Sequence, residues 1–278
     1  MKIDPKMMEF FEGLTAIDDS GMVFGNRPNE NRLNVKNELE AVRNNPLAPF
    51  LNLIATEESG IFRTEVVRQH EAYGHFILSY ERFLKFISLS ARFNRSIKYK
   101  VKYREKLTTK EKKLKEEYIA TARFHELDFY NCLIHARILL DKTAALSRHF
   151  LTENEKPSFS SFSDQKKFFQ RRKSPYGNCE EYAHYIRTQT DWFDFPLKRV
   201  RDKFIVHNSP KHMQFFGFPG TSYNDLCLTY FVPVNERGDL GGGRMVTVSV
   251  ITLAKDVHTF LNWFCNYAQS RMHVIKKS

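Results

Sequence analysis

Two long stretches that repeat apolar residues every three or four positions constrain the fold of this chain more than any other feature. The first runs without proline from Glu65 to about Phe93. Its apolar residues at steps of three and four are Phe76, Tyr80, Phe83, Leu84 and Ile87. This spacing places the five side chains on one face, which predicts an amphipathic helix.

The second stretch predicts the stronger helix. It begins near Thr108, because Thr108-Thr109-Lys110-Glu111 has the pattern of a capping box, and it can run to about Phe150. One stripe along this helix carries Ala122, Phe129, Leu133, Ala136, Leu140 and Thr143. Only neighbouring helices can cover so long a stripe, so the sequence predicts a mainly α fold organised as a helical bundle.

Shorter elements are expected on both sides of these helices. Residues 1–64 read as short helices and loops, because glycine, asparagine and proline interrupt them. Their amphipathic pieces lie around Met8–Leu14, Leu33–Val42 and Leu47–Ile54. The bundle itself is assigned to residues 65–216, and its later part holds a polar loop at Thr152–Ser163 and helices at Lys166–Arg172 and from Asn178 to about Gln189.

The last part of the chain, residues 217–278, changes from helical to strand periodicity. Leu226–Val234 is rich in β-forming residues, and Met245–Leu253 alternates apolar with polar side chains. The connecting loop Asn235–Gly243 ends in three glycines but lacks the lysine pattern of a phosphate-binding P-loop. Ala254–Met272 then has a helical pattern. We therefore expect a small C-terminal β-hairpin plus a helix, packed on the bundle.

Composition narrows the class of partner. The 278 residues carry a formal net charge of +11, which favours polyanions such as RNA, DNA or an anionic membrane surface. The four cysteines are Cys132, Cys179, Cys227 and Cys265, and none forms a CxxC pair. This argues against a disulfide framework or zinc site and for a reducing compartment. The chain shows no signal-peptide stretch and no run of transmembrane length, so a cytoplasmic location is expected.

A short helix near residue 200 carries the candidate chemistry. Asp194-Phe195-Pro196 reads as an N-cap followed by proline in the first turn, and Pro210 ends the helix. Between them lie Arg201 and His207. An arginine can grip phosphate oxygens and a histidine can transfer protons, as cleavage of RNA by its own 2′-hydroxyl requires. At a helix C-terminus, the macrodipole favours the protonated imidazole and so a general acid.

The spacing of this pair proves little by itself. Six residues on an α-helix separate two side chains by roughly 120° and ~9 Å, so the arginine must reach far or a second copy of the chain must complete the site. Similar gaps separate Arg63 from His70 and Arg68 from His75. On pattern alone, a buried core histidine beside a surface arginine is the alternative for Arg201 and His207.

The letters around the pair are more informative. Arg201-Asp202-Lys203-Phe204-Ile205-Val206-His207-Asn208 resembles the signature of HEPN domains, in which a polar residue follows the arginine and aliphatic residues precede the histidine. The other two arginine–histidine pairs lack these flanking residues. The helix Ala136–Ala144 is also similar to one that recurs upstream in HEPN families of the abortive-infection type.

The resemblance implies a fold and an activity. HEPN domains are helical bundles that dimerise, so that two arginine–histidine sets form one cleft for metal-independent RNA cleavage without a cofactor. Members act in toxin–antitoxin, phage-defence or CRISPR-associated systems, which implies a cognate antitoxin or defence partner. Arg201 and His207 would be catalytic, and Asp202, Lys203 and Asn208 would support them.

Two alternatives to a nuclease stay open. Some HEPN modules are inactive and bind RNA, a nucleotide or a partner protein, so the fold does not fix the activity. The chain could also be a structural or interaction protein in which Arg201 pairs with a carboxylate such as Asp194 or Asp202.

Two further groups of residues invite a functional interpretation. The stretch Lys98–Lys115 alternates cations with Tyr99, Tyr103 and Leu107, a mixture that suits phosphate contacts and base stacking. Its candidate RNA-binding residues are Lys98, Lys100, Lys102 and Arg104, and a solvated charged face is the alternative. His70 and His75 are five residues apart, not the four that a zinc-protease helix requires, so no metal site is expected.

Overall fold

The computed structural model describes residues 35–53, 60–122, 124–151, 159–170, 180–198, 201–202, 229–234 and 244–275. These residues are mainly helical, which confirms the predicted fold class at that level. The α-helices are α1 Val35–Arg43, α2 Pro49–Leu53, α3 Gly60–Ser96, α4 Lys98–Lys102, α5 Thr109–Ala122, α6 His125–Ser147, α7 Phe162–Gln170, α8 Glu180–Thr188 and α9 Val250–Ile275. The short pieces expected near Leu33–Val42 and Leu47–Ile54 correspond to α1 and α2, and Met8–Leu14 lies outside the described residues.

Helix α3 confirms the first long amphipathic prediction. It begins at Gly60 and ends at Ser96, so it is longer than expected at both ends. It also runs across the predicted domain boundary between residues 64 and 65. All five side chains of its predicted apolar face are buried, which is the condition under which tertiary packing stabilises a helix.

The capping box is confirmed, but the single helix from Thr108 to Phe150 is wrong. Glu111 accepts a hydrogen bond from the backbone N–H of Thr108 at 2.8 Å, and the Glu111 N–H donates to the Thr108 hydroxyl at 3.3 Å. The helix then stops at Ala122, and α6 starts at His125. The imidazole Nδ1 of His125 lies 2.6 Å from the Ala122 carbonyl oxygen, so a side chain contacts the carbonyl that the next turn would have used.

Burial differs sharply on the two sides of this break. None of the residues of α5, all of them described, is buried. Five residues of the predicted stripe, Phe129, Leu133, Ala136, Leu140 and Thr143, lie in α6 and are buried, whereas Ala122 at the end of α5 is only partly buried. The buried part of the stripe therefore lies in α6, and α5 has no buried residue that would continue it.

Helix α7 corrects the end of a predicted loop. The predicted loop Thr152–Ser163 includes Phe162 and Ser163, but these residues form the first turn of α7. The Ser161 hydroxyl accepts a hydrogen bond from the Asp164 N–H at 3.1 Å, which caps the helix there. Phe162 is buried against Phe260 of α9, with ring centroids 5.2 Å apart, so packing fixes the earlier start.

Two strands precede α9. β1, Thr229–Val234, pairs antiparallel with β2, Arg244–Ser249, in a register that places Thr229 opposite Ser249 and Val234 opposite Arg244. The predicted strand Met245–Leu253 is wrong at its end, because α9 already begins at Val250. Buried Val250, Ile251 and Leu253 follow a helical pattern, not an alternating one.

The described residues fall into two compact units, each built from several segments. Unit 1 takes them from Met1–Leu39, Tyr80–Tyr130 and Arg199–Thr252, and unit 2 from Glu40–Ser79, Asn131–Lys198 and Leu253–Ser278. Aromatic pairs fill both cores. Phe83 lies 6.4 Å from Phe129 in unit 1, and in unit 2 the rings of Tyr182 in α8 and Trp263 in α9 lie 5.3 Å apart.

Candidate functional site

The segment before Arg201 forms a π-helix, Phe193–Lys198. Residues 191–192 are already helical, so Asp194 is not the N-cap that the sequence predicts. Residues 201–202 have the same π-helical conformation. π-helical turns are rare and occur frequently at functional sites.

A buried lysine explains why Asp194 does not cap the helix. The Lys166 side chain of α7 is only 2% exposed, and its ammonium lies 2.7 Å from Oδ2 of Asp194. It also donates to the Thr190 carbonyl oxygen at 2.7 Å and lies 3.5 Å from the exposed Asp191 carboxylate. A buried ammonium needs such partners. The Asp194 carboxylate therefore binds a cation instead of backbone N–H groups.

A second buried cation holds Phe193. The Arg137 guanidinium carbon lies 4.6 Å from the centroid of the Phe193 ring, and its Nε donates to Asp141 at 3.1 Å. The other Asp141 oxygen accepts a hydrogen bond from the Phe162 N–H at 2.8 Å. Phe193 also packs against Phe162 at 4.7 Å. The start of the π-helix is thus fixed to α6 and α7 by charge-assisted and aromatic contacts.

Arg201 and Asp202 form an ion pair. Nε of Arg201 donates to Oδ1 of Asp202 at 2.8 Å, and Nη2 donates to the same oxygen. Both side chains are partly exposed. A guanidinium has five N–H donors, so this contact leaves capacity to bind a phosphate. The other candidate site residues of the signature, Lys203, His207 and Asn208, lie outside the described residues, so the distance from Arg201 to His207 stays a prediction.

The candidate RNA-binding cations occupy different environments. Lys100 makes a 2.7 Å ion pair with Glu111, which joins α4 to the capping box of α5. This contact and the Thr108 hydrogen bonds lower the pKa of Glu111 to about 2, and the same pair raises the pKa of Lys100. Lys102 and Arg104 are exposed, and Lys98 lies in α4. Lys100 is therefore a structural cation, while Lys102 and Arg104 face solvent.

The two histidines that suggested a metal motif have separate partners. Nδ1 of His70 lies 3.2 Å from the amide nitrogen of Asn45, whereas the His75 ring lies 5.6 Å from the His135 ring. Burial, and then the charge of His75, lowers the pKa of His135. Among the described residues, no three His, Cys, Asp or Glu side chains gather closely enough to hold a metal ion.

The sequence analysis did not identify three residues that position the π-helix: Arg137, Asp141 and Lys166. Arg137 and Asp141 stand four residues apart in the segment that resembles a HEPN helix, and that spacing alone signals an ion pair on one helix face. No local signal marks Lys166, because a lysine in a polar stretch is expected at the surface.

No helix in the described part of the chain has both the length and the apolar character needed to cross a membrane. Comparison with protein-family models, with curated proteins and with solved structures gives no match.

Proposed function

We propose that this protein is a metal-independent endoribonuclease of the HEPN type, acting in the cytoplasm in a toxin or phage-defence role. The observation that carries the proposal is the HEPN-like sequence from Arg201 to Asn208, in which a polar residue follows the arginine. The ion pair between Arg201 and Asp202 agrees with the nuclease and with a purely structural role, which the variants below distinguish. The contact fixes the direction of the guanidinium, as a phosphate-binding arginine requires. The mainly helical fold supports the proposal, and the HEPN-like bundle with a C-terminal β-hairpin and helix is part of it.

The proposed reaction uses no cofactor. His207 removes the proton from the 2′-hydroxyl, and the 2′-oxygen attacks the adjacent phosphorus. The bond to the 5′-oxygen breaks as the His207 imidazolium formed in this way donates its proton to that oxygen. The products are a 2′,3′-cyclic phosphate and a 5′-hydroxyl. Arg201 stabilises the negative charge of the phosphorane. Asp202 and Asn208 orient these groups, and Lys203 adds affinity for phosphate.

The test is RNA cleavage in the presence of a chelator. We expect the wild-type protein to leave 2′,3′-cyclic phosphate ends, and His207→Ala to abolish cleavage while the circular-dichroism spectrum and Tm stay unchanged. A matched control is Arg68→Ala with His75→Ala, because this exposed pair has a similar gap but lacks the flanking letters. Equal cleavage by His207→Ala and wild type would reject the catalytic role.

The composite nature of the site has its own test. If two copies of the chain form one cleft, inactive Arg201→Ala and inactive His207→Ala proteins should regain part of the wild-type cleavage rate when they are mixed. Each variant still supplies the group that the other lacks. A mixture that stays as inactive as its parents would reject a shared site.

A second candidate function is a non-catalytic HEPN module that binds RNA, a nucleotide or a partner protein. The exposed tyrosines and cations at the end of α4 favour it, because they suit binding and need no reaction. Binding would then persist without cleavage in wild type and His207→Ala alike.

If the Arg201–Asp202 pair serves only structure, Arg201→Ala would lower Tm and leave RNA binding and cleavage unchanged.

A further inference from the structure

An arginine occupies a glycine position at the end of α4. The Glu105 N–H donates to the Lys100 carbonyl at 2.8 Å, and the Arg104 N–H donates to the Val101 carbonyl at 3.2 Å. These two bonds form a Schellman motif, whose C′ residue must adopt a left-handed conformation. Arg104 is that residue, with φ of 56°. Glycine is the usual choice there because any Cβ is strained.

The strain at Arg104 singles out its side chain. A non-glycine residue in the left-handed region persists where the surrounding structure imposes it, and such residues cluster at functional sites. Arg104 is exposed, so core packing does not account for it. Its left-handed backbone sets the direction of the Cα–Cβ bond, from which the long cationic side chain extends into solvent.

The neighbours of Arg104 form a cationic and aromatic patch. Tyr99 and Tyr103 stand four residues apart, hence on one side of the helix end, and are 48% and 65% exposed. The Lys102 ammonium lies 5.6 Å from the centroid of the Tyr103 ring. We call Tyr99, Lys102, Tyr103 and Arg104 the α4 cap patch.

Charge around the patch is strongly positive. The segment from Lys98 to Lys115 holds nine lysines and arginines against two acidic residues, Glu105 and Glu111. Glu111 is paired with Lys100. Exposed Lys102, Arg104 and Lys106 flank Glu105 in the sequence, so the segment has a net positive charge that attracts a polyanion.

We propose that the α4 cap patch binds single-stranded nucleic acid, with Arg104 gripping a backbone phosphate and Tyr99 and Tyr103 stacking on bases. Exposed rings favour a single strand over a duplex, because only unpaired bases offer their faces for stacking. That the strand is RNA rests on the proposed function. Binding of a single strand through stacking and phosphate contacts is independent of the proposed function, since every base has a ring face and every strand carries phosphates.

The decisive variant is Arg104→Gly, which separates binding from folding. Glycine relieves the left-handed strain, so Tm is expected to rise by about 2 °C. Affinity for fluorescently labelled oligodeoxythymidylate of about 12 nucleotides is expected to fall about fivefold. The slope of log affinity against log salt should decrease by about 0.7, which corresponds to one phosphate contact on a single strand.

Further variants isolate each part of the patch. Arg104→Lys keeps the charge and should retain most of the affinity, whereas Tyr103→Ala should lower it ~10-fold through lost stacking. Lys113→Gln removes an exposed cation from the same segment outside the patch, and Phe124→Ala removes a ring that is 49% exposed in the same unit. Both controls should bind close to wild type.

The probe also keeps this proposal independent of catalysis. Oligodeoxythymidylate has no 2′-hydroxyl, so the proposed nuclease reaction cannot cut it, and loss of cleavage in His207→Ala leaves this measurement unaffected. Wild-type affinity in Arg104→Gly, or an equal loss in Lys113→Gln, would overturn the α4 cap patch as a specific site. So would binding of wild type to vesicles with anionic lipids but not to the oligonucleotide.

Discussion

The ammonium of Lys166 lies 2.7 Å from the carboxylate of Asp194, although the lysine side chain is almost completely removed from solvent. Lys166 belongs to α7 and Asp194 to the π-helix Phe193–Lys198. The pair therefore holds the π-helix, the element that precedes Arg201 in the chain. It also explains why Asp194 is not the N-cap that the sequence predicts, because its carboxylate binds the ammonium of Lys166.

Replacing Asp194 should cost more stability than replacing its neighbour. Asp194→Asn removes the closer carboxylate from a buried ammonium, so we expect the free energy of unfolding to fall by about 1–2 kcal/mol. The matched control is Asp191→Asn, because that carboxylate is exposed and lies 3.5 Å away; its expected cost is below about 0.5 kcal/mol. Urea denaturation measures both, and equal costs would show that the distance to Lys166 does not matter.

The character of residue 202 should control cleavage. Asn fits the polar position of the HEPN-like signature and can still accept a hydrogen bond from Arg201, so Asp202→Asn should keep much of the wild-type rate. Asp202→Leu removes the acceptor and should reduce kcat at least ~10-fold with a smaller change in KM. Steady-state RNA cleavage distinguishes them. If the leucine variant were as active as wild type, Asp202 would have no orienting role.

The pKa of Glu111 should report the link between α4 and α5. It is lowered to about 2, first by the hydrogen bond from Lys100 and then by those from Thr108. Carboxyl chemical shifts followed by NMR should show this low pKa, and Lys100→Gln should move it up toward 4.5. The pKa of Glu111 is lower in the folded state than in the unfolded state, so this group stabilises the folded protein at pH values above 4.5. That stabilisation is lost as the pH falls from 4.5 toward 2.

Acidification should destabilise the protein through His135. Its pKa is lowered by burial, and then by the charge of His75, from the usual 6.5. The unfolded chain therefore binds the proton more readily, and the free energy of unfolding decreases as pH falls below 6.5. His135→Gln should reduce the difference between about pH 7.5 and about pH 5.

His258 has a pKa lowered mainly by burial and should leave part of the wild-type pH dependence in His135→Gln. His75→Gln removes the charge that is the second cause of the lowered His135 pKa. It should therefore reduce the pH dependence of the free energy of unfolding less than His135→Gln does. Denaturation curves at the two pH values give the comparison. An unchanged pH dependence in His135→Gln would assign it to other groups.

Elements that depend on short-range chemistry were predictable. The Thr108–Glu111 capping box and the face of α3 follow from residues a few positions apart, and the structure has both. The break before α6 was not predictable from apolar periodicity, because it coincides with the contact of His125 with the Ala122 carbonyl and with the lack of burial along α5. The end of β2 at Ser249 was not predictable either, because α9 begins at the next residue, Val250, which is buried in the core.

In the candidate site, too, contacts between neighbouring residues were predictable from the sequence, and contacts between different helices were not. The pairing of Arg201 with Asp202 joins adjacent residues, and pairing with this carboxylate was among the sequence-based alternatives. The π-helix was not foreseen, because Lys166 and Arg137 hold it from other helices, and such tertiary contacts override local capping preference. Left-handed Arg104 was likewise missed, since arginine is an unfavourable residue for that conformation.

The interleaved order of the two units has a consequence for biosynthesis. Unit 2 contains most of α6 and all of α7 and α8 from the middle of the chain, yet Phe260 and Phe264 of α9 complete its aromatic core. Until the ribosome has made α9, the contacts of Phe162 with Phe260 and of Tyr182 with Phe264 cannot form, and the apolar surface that α9 covers remains open to other chains. A nascent chain that stalls before α9 should therefore be a preferred substrate for chaperones.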